Sequence, residues 1–229
     1  VTALSIAAQV GCAENVAVLL DWGAVVDWTS DCNHRRTPLF YACRGGNEDV
    51  VRQLLEARAS VTAARDARSG ASALHETMVS QECADSHLRC ARLLIEHGAD
   101  VDLPVHEDGS TPLIAACCLG ANAFVNMLLE ARANVAASLH NLTASDGQTF
   151  NGQTALMVAA EQAEFRVVQT LLEAGAAHAS VTSHGWTALS FASAAGNTPA
   201  ARRCVTLLRE ARRDAGRLAA PPTAEAAAA

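Results

Sequence analysis

One segment of this chain recurs, and that recurrence limits the fold more than any other feature. A Thr or Ser, then Ala or Pro, then Leu stands at residues 2, 37, 72, 111, 154 and 187, giving steps of 35, 35, 39, 43 and 33 residues. The copies open TALSIAAQVG, TPLFYACRGG, SALHETMVS, TPLIAACCLG, TALMVAAEQA and TALSFASAAG. They close on VAVLLDWGA, VVRQLLEARA, CARLLIEHGA, VNMLLEARA, VVQTLLEAGA and CVTLLREA. Self-similarity at a period of about 33 residues is the mark of a stacked array.

The copy from Thr111 to Val135 shows what one unit becomes. Thr111-Pro112 starts a helix, because proline pre-sets φ and its missing N–H is not needed in a first turn. Leu113, Ala115, Ala116 and Cys117 give that helix a face of small and medium apolar groups, and Gly120 ends it. Phe124, Val125, Leu128 and Leu129 then recur at helical spacing on a second helix. Neither is long enough to persist alone in water, where about 12–15 residues are marginal. The units must therefore bury themselves against one another.

The Thr-Pro-Leu-like opening at this period resembles the ankyrin repeat family over roughly residues 1–211. The resemblance implies an all-α ankyrin-repeat solenoid of stacked helix-turn-helix pairs with β-turn fingers. The array is expected over 1–213, in units of about 1–35, 36–70, 71–109, 110–152, 153–185 and 186–213. Residues 214–229, Ala/Pro-rich and ending AAPPTAEAAAA, are expected to be a disordered tail. The chain opens inside a unit, at its Thr, and Ile6, Val16 and Leu19 do not make a polar end face. A segment of a longer intracellular protein is the expectation.

Composition agrees with close helix-on-helix stacking: of 229 residues, 50% are apolar but only 4% aromatic, so alanine and leucine do the filling. The formal charge of -7 offers no basic stripe to displace counterions from nucleic acid. No apolar run approaches the ~18 residues a membrane-spanning helix needs, and there is no signal-peptide pattern. Every basic side chain besides histidine is arginine, which removes Schiff-base and phosphate-loop lysine chemistry. Cys43, Cys90, Cys117 and Cys204 fall on core positions as small hydrophobes. Cys117 and Cys118, adjacent in one helix, point different ways. No disulfide framework is evident among the eight cysteines. A reducing cytoplasmic or nuclear setting follows.

Departures between copies carry their own expectations. Gly23, Gly98 and Gly175 follow a second helix where two other copies have Arg58 and Arg132, at a position that takes left-handed backbone. Ala163 replaces the glycine between the helices of the fifth unit, which predicts a stiffer or slightly displaced turn. About five extra residues around Met78–His87 should extend the third unit's first helix or its inter-helix loop. There Cys83, His87 and Cys90 share a helical face, with His97 beyond. Zinc favours such ligands, but three along one helix cannot close a tetrahedron, and Cys90 aligns with core Val50. About ten extra residues between Ala136 and Asn151, rich in Ser, Thr, Asn, Asp and Gly, read as a long finger loop. Asn141-Leu142-Thr143 matches a glycan acceptor triplet. Trp22 and Trp28 end the first unit's second helix and occupy the turn after it, Trp28 partly exposed. The last unit has about three extra residues near Thr198–Ala201 and a charged second helix.

No Gly-rich phosphate loop, GxSxG elbow, HExxH or CxxC pair is present, so neither catalysis nor a cofactor is implied. His75 occupies the family's usual histidine position, where the ring bonds within the turn. What remains is recognition. In the ankyrin family the partner usually contacts the fingertips and the exposed face of the first helices. Carried over, one line runs through the residue before each opening: Val1, Arg36, Ala71, Ser110, Gln153 and Trp186. A second runs near the end of each first helix: Gln9-Val10, Arg44, Cys118-Leu119 and Glu161-Gln162. Both lines vary in chemistry while the framework holds. The expected partner-binding residues are Arg36, Arg44, Ser110, Leu119, Gln153, Glu161 and Trp186. Arg36 and Arg44 could hold carboxylates; Trp186 is either a binding anchor or packs on the Phe150 loop. The reading is a monomeric, non-catalytic scaffold that binds another protein. The alternatives are a repeat region docking a catalytic or membrane domain of a larger enzyme or channel, and a spacer.

Overall fold

The computed structural model describes residues 2–29, 34–78, 85–105, 108–143 and 149–218. Among them the helices come in pairs: α1 (Ala3–Val10) with α2 (Ala13–Asp21), α3 (Pro38–Arg44) with α4 (Glu48–Glu56), α5 (Ala73–Glu76) with α6 (Asp85–Glu96). Then follow α7 (Pro112–Cys118) with α8 (Asn122–Glu130), α9 (Ala155–Glu161) with α10 (Phe165–Glu173), and α11 (Ala188–Ala194) with α12 (Pro199–Leu218). The first helices pack side by side in the order α1, α3, α5, α7, α9, α11, and the second helices form a parallel row. The array is an all-α solenoid, as its period predicts.

The opening residue explains where each first helix begins. Thr2, Thr37, Ser72, Thr111 and Thr187 lie in extended backbone and accept the N–H three residues on, satisfying a donor the helix cannot. Thr154 makes no such bond, and its buried hydroxyl has no partner. Two residues later the leucines Leu4, Leu39, Leu74, Leu113 and Leu156 are all buried, as are Val51, Leu54, Val125, Leu128, Val168 and Leu171 of the second row. Each such leucine contributes about 2 kcal/mol through burial, and most of what buries it belongs to a neighbouring pair.

Polar contacts set the spacing between pairs. The Asn47 amide donates to the Ala8 carbonyl at 2.8 Å, and the ring of His87, in the first turn of α6, lies 3.3 Å from the Arg44 carbonyl. His87 lies so close under Gly46 that a Cβ there would meet the ring at 2.6 Å, and Gly46 has a φ of +64°. Both facts demand glycine. Asp27 accepts the Ser60 N–H at 3.0 Å and Asp102 that of Asn134 at 2.8 Å, joining successive fingers.

Several local expectations need correction. Ala163 keeps a φ of +58°, close to the +64° and +63° of Gly46 and Gly120, so its turn is not displaced. The extra residues of the third unit do not lengthen its first helix: α5 has four residues, and the Thr77 hydroxyl takes the Leu74 carbonyl at 2.7 Å. The stretch between the helices is longer, as the other expectation had it, running from Glu76 to Asp85 where the second unit runs from Arg44 to Glu48; α6 also has 12 residues against nine in α4 and α8, and residues 79–84 lie outside the described residues. The insertion after Ala136 is a β-hairpin in its described part. There β1 (Ser138–Leu139) pairs antiparallel with β4 (Gln153–Thr154), and β2 (Leu142–Thr143) with β3 (Thr149–Phe150). The last helix runs to Leu218, beyond the boundary drawn at 213; residues 219–229 are outside the described set.

His75 sits in the turn as the sequence suggests. Its Nδ1 lies 2.9 Å from the Ser72 hydroxyl, and its Nε2 is 3.3 Å from the Ser110 carbonyl of the next unit. Burial pushes its pKa from 6.5 down to about 4, with the Ser110 carbonyl only partly offsetting the loss of water. The unfolded chain therefore binds a proton below pH 6.5 that the folded chain refuses until pH 4, so His75's contribution is full above 6.5 and falls with acidification. At pH 4.5 the loss is about 2 kcal/mol, at ~1.4 kcal/mol per pKa unit. Urea midpoints at pH 7 and 4.5 should show His75→Gln less stable at neutrality but losing less on acidification; an equal loss in both proteins would contradict this.

Arg58 and Arg132 have φ values of +63° and +64° and are exposed. Left-handed backbone costs a residue with a Cβ roughly 1 kcal/mol. Arg58→Gly and Arg132→Gly should each be neutral or stabilising by up to about 1 kcal/mol in thermal melts. A clear loss in both would mean that the guanidinium groups make contacts essential to the fold.

Candidate functional site

The fingers and first helices form one flank, and its side chains divide into those the fold consumes and those it leaves outward. Arg36 belongs to the first kind. Its guanidinium contacts one oxygen of Asp66 at 2.5 and 2.6 Å and lies 5.3 Å from the Phe40 ring centre. The other Asp66 oxygen accepts the backbone N–H groups of Arg68 and Ser69. Burial works against both charges, yet the Ser69 N–H and Arg36 hold the Asp66 carboxyl below its ordinary range, and Asp66 raises the Arg36 pKa. The pair ties the second unit's opening to the next finger.

Gln153, expected at the partner surface, is only 4% exposed. Its side-chain amide donates to Glu161 at 2.6 Å. The insertion hairpin draws it inward, because β4 pairs its backbone with Leu139. Ser110 is half-buried; its N–H goes to Asp108 and its carbonyl receives Val105 and His75.

Arg44, Leu119, Glu161 and Trp186 remain outward. Arg44 is half-exposed and only loosely paired, its Nε 3.8 Å from Glu76. Burial raises the Glu76 pKa in spite of Arg44 and Arg36 nearby. Leu119 and Trp186 are each 42% exposed, large apolar groups on a wet flank. A tight turn carries Trp186: the Thr182 N–H meets the Trp186 carbonyl at 2.9 Å, and the Trp186 N–H meets the Thr182 hydroxyl at 3.2 Å. Its ring stands edge-on to Phe191, with centroids 5.6 Å apart and planes at 86°, and also touches His184. The Phe150 side chain lies outside the described residues.

Trp186 and Phe191, together with Glu161, Ser190, Ala194 and Ala195, line a cleft of about 330 Å³. Sequence reasoning named Trp186 and Glu161 but missed Phe191. The signal was present: the fourth residue after each opening is Ile6, Tyr41, Glu76, Ala115, Val158 or Phe191, as variable as the two lines chosen. Ile6 and Val10, both well exposed on α1, belong to the same flank.

Among the described residues no three His, Cys, Asp or Glu side chains are placed to share a metal ion, and Cys83 lies outside that set. Cys43, Cys90, Cys117 and Cys204 are fully buried, and burial pushes the Cys90 and Cys117 thiols up to about 12, leaving them unreactive. Among the described residues no helix is long and apolar enough to cross a membrane.

Comparison with known proteins places the chain in context. A family model described as ankyrin repeats (3 copies) matches residues 1–65, 61–138 and 134–215. An E3 ubiquitin-protein ligase of Arabidopsis thaliana is 36% identical over 81% of this chain and 31% of its own length. The human ankyrin repeat and SOCS box protein 16 is 34% identical over 83% of this chain and 38% of its own. The chain thus spans about a third of the length of these relatives. A crystal structure of an ankyrin repeat domain from Acinetobacter baumannii superposes with a TM-score of 0.73 at 27% identity, covering 91% of this chain and 97% of that one.

The division of the flank can be checked by stability. Arg36→Ala strands the buried Asp66 carboxylate and should cost about 2 kcal/mol in urea unfolding. Leu119→Ser, on an exposed site, should stay within about 0.5 kcal/mol. Equal costs would return Arg36 to the outward group.

Proposed function

Since the chain belongs to the ankyrin repeat family, we propose that it is a non-catalytic protein-binding module whose partner lies along the fingers and the first-helix flank. Repeats of this family generally mediate protein–protein interaction. The partner-facing set is Arg44, Ser110, Leu119, Glu161 and Trp186, with the largely buried Phe191 backing the Trp186 ring and with Arg36 and Gln153 serving the fold. One observation carries the reading: the framework leucines of the first five copies are buried alike, while Leu119 and Trp186 on the first-helix flank keep 42% of their surface in water. Trp and Arg in such positions are the usual anchors of an interface, as Trp186 and Arg44 are here proposed to be.

The proposal predicts a flank-specific loss of binding. The combined variant Arg44→Ala, Leu119→Ser, Trp186→Ala and a control on the second-helix side, Arg92→Ala with Glu130→Ala, would be compared with the native chain. Quantitative affinity purification should find partners whose recovery falls at least about tenfold in the first variant and is unchanged in the control. Equal recovery in all three would overturn the assignment of this flank. Thermal melts of each variant separate lost binding from lost folding.

A further inference from the structure

The cleft beside Trp186 has a chemistry that narrows what it can receive. Two aromatic rings meet there at nearly right angles, Trp186 partly exposed and Phe191 largely buried against it. Glu161, an exposed carboxylate-bearing residue, also lines it. Its described partner is the neutral Gln153 amide, 2.6 Å away, which orients one oxygen but brings no positive charge. Among the described residues Glu161 has no ion-pair partner. The Ser190 hydroxyl is already engaged with Thr187 at 3.1 Å. The remaining lining, Ala194 and Ala195, is small and apolar.

On the reading that this flank binds a protein, we infer that the cleft receives a basic side chain, arginine or lysine, from the partner. An apolar guest would bury the carboxylate without compensation, which costs more than the apolar contact returns. An acidic guest would oppose it directly. A cation meets both halves of the wall at once: its charge answers Glu161, and its alkyl stem or guanidinium plane lies against aromatic surface. The chain itself uses this pairing elsewhere, with Arg203 5.0 Å from the Phe165 ring centre and Arg36 held between Phe40 and Asp66. The volume is at the small end of the ~300–1,000 Å³ typical of ligand pockets, enough for one side chain. The formal charge of -7 draws a basic segment toward the array from a distance.

The test uses acetyl-Ala-X-Ala-amide peptides with X as arginine, lysine, citrulline or norleucine, titrated into the ¹⁵N-labelled chain. The readout is the indole N–H resonance of Trp186, assigned by its loss in Trp186→Phe. The arginine and lysine peptides should shift it with an apparent affinity at least about fivefold above citrulline and norleucine. Glu161→Gln, which keeps an acceptor for Gln153, should erase that preference, and raised salt should weaken it. Norleucine or citrulline binding as well as arginine, or no peptide moving the resonance, would overturn the inference. Should partner recovery still depend on the flank while charge preference is absent, only the cation assignment falls. Loss of both dependences removes the flank assignment as well.

Discussion

No helical hairpin in this chain can bury its own apolar side chains, and the rest of the structure follows from that. A first helix of seven or eight residues has too few hydrogen bonds to repay nucleation. Leu39 or Leu113 reaches full burial because the pairs on either side close over it. The core is therefore a continuous seam shared between units, and stability is a sum of local terms and nearest-neighbour interfaces. The polar locks matter for the same reason. Asn47 on the Ala8 carbonyl, His87 near the Arg44 carbonyl and His75 near the Ser110 carbonyl each reach across one interface and set its register.

A seam built this way tolerates local strain. Arg58, Arg132 and Ala163 occupy left-handed backbone that glycine fills in the other copies. Each costs roughly 1 kcal/mol, which the contacts on both sides outweigh, so the turn keeps the geometry its neighbours require. The insertion after Ala136 shows a related effect. Its described part does not wander as an open loop, because both sides find partners: the His140 N–H bonds to the Asp108 carbonyl and the Ser183 N–H to the Asn151 carbonyl. Three successive fingers thereby become one hydrogen-bonded fence.

The period, the start of each first helix, the buried leucines and the exposed Trp28 were legible in the residues because each depends on local spacing. What escaped depends on partners distant in sequence. Arg36 reads as a free surface cation until Asp66, thirty positions on, is placed against it. Gln153 reads as a finger residue until the hairpin turns its amide toward Glu161. The shortness of α5 is likewise not visible in its residues: the Thr77 N–H still takes the Ala73 carbonyl, but the Met78 N–H turns to His75, three residues back rather than four. Phe191 escaped for another reason: its register was visible, but its importance appears only when Trp186 stands against it.

The short first helices carry both side chains that the stack buries and side chains that it leaves in water, and the constraints on the two differ. At the fourth position after the cap Ile6, Tyr41, Glu76, Ala115, Val158 and Phe191 differ in size and charge, and in burial too: Ile6 is exposed, whereas Tyr41, Val158 and Phe191 are buried. Because each unit touches only its neighbours, a change at one of these positions propagates no farther than the adjacent interface. The exception is instructive. Where a flank residue has been drafted into an inter-unit lock, as Arg36 has with Asp66, its chemistry is fixed by the fold and is no longer available to follow a partner. Leu119 and Trp186, each 42% exposed, keep large apolar surface in water that the proposed partner would cover.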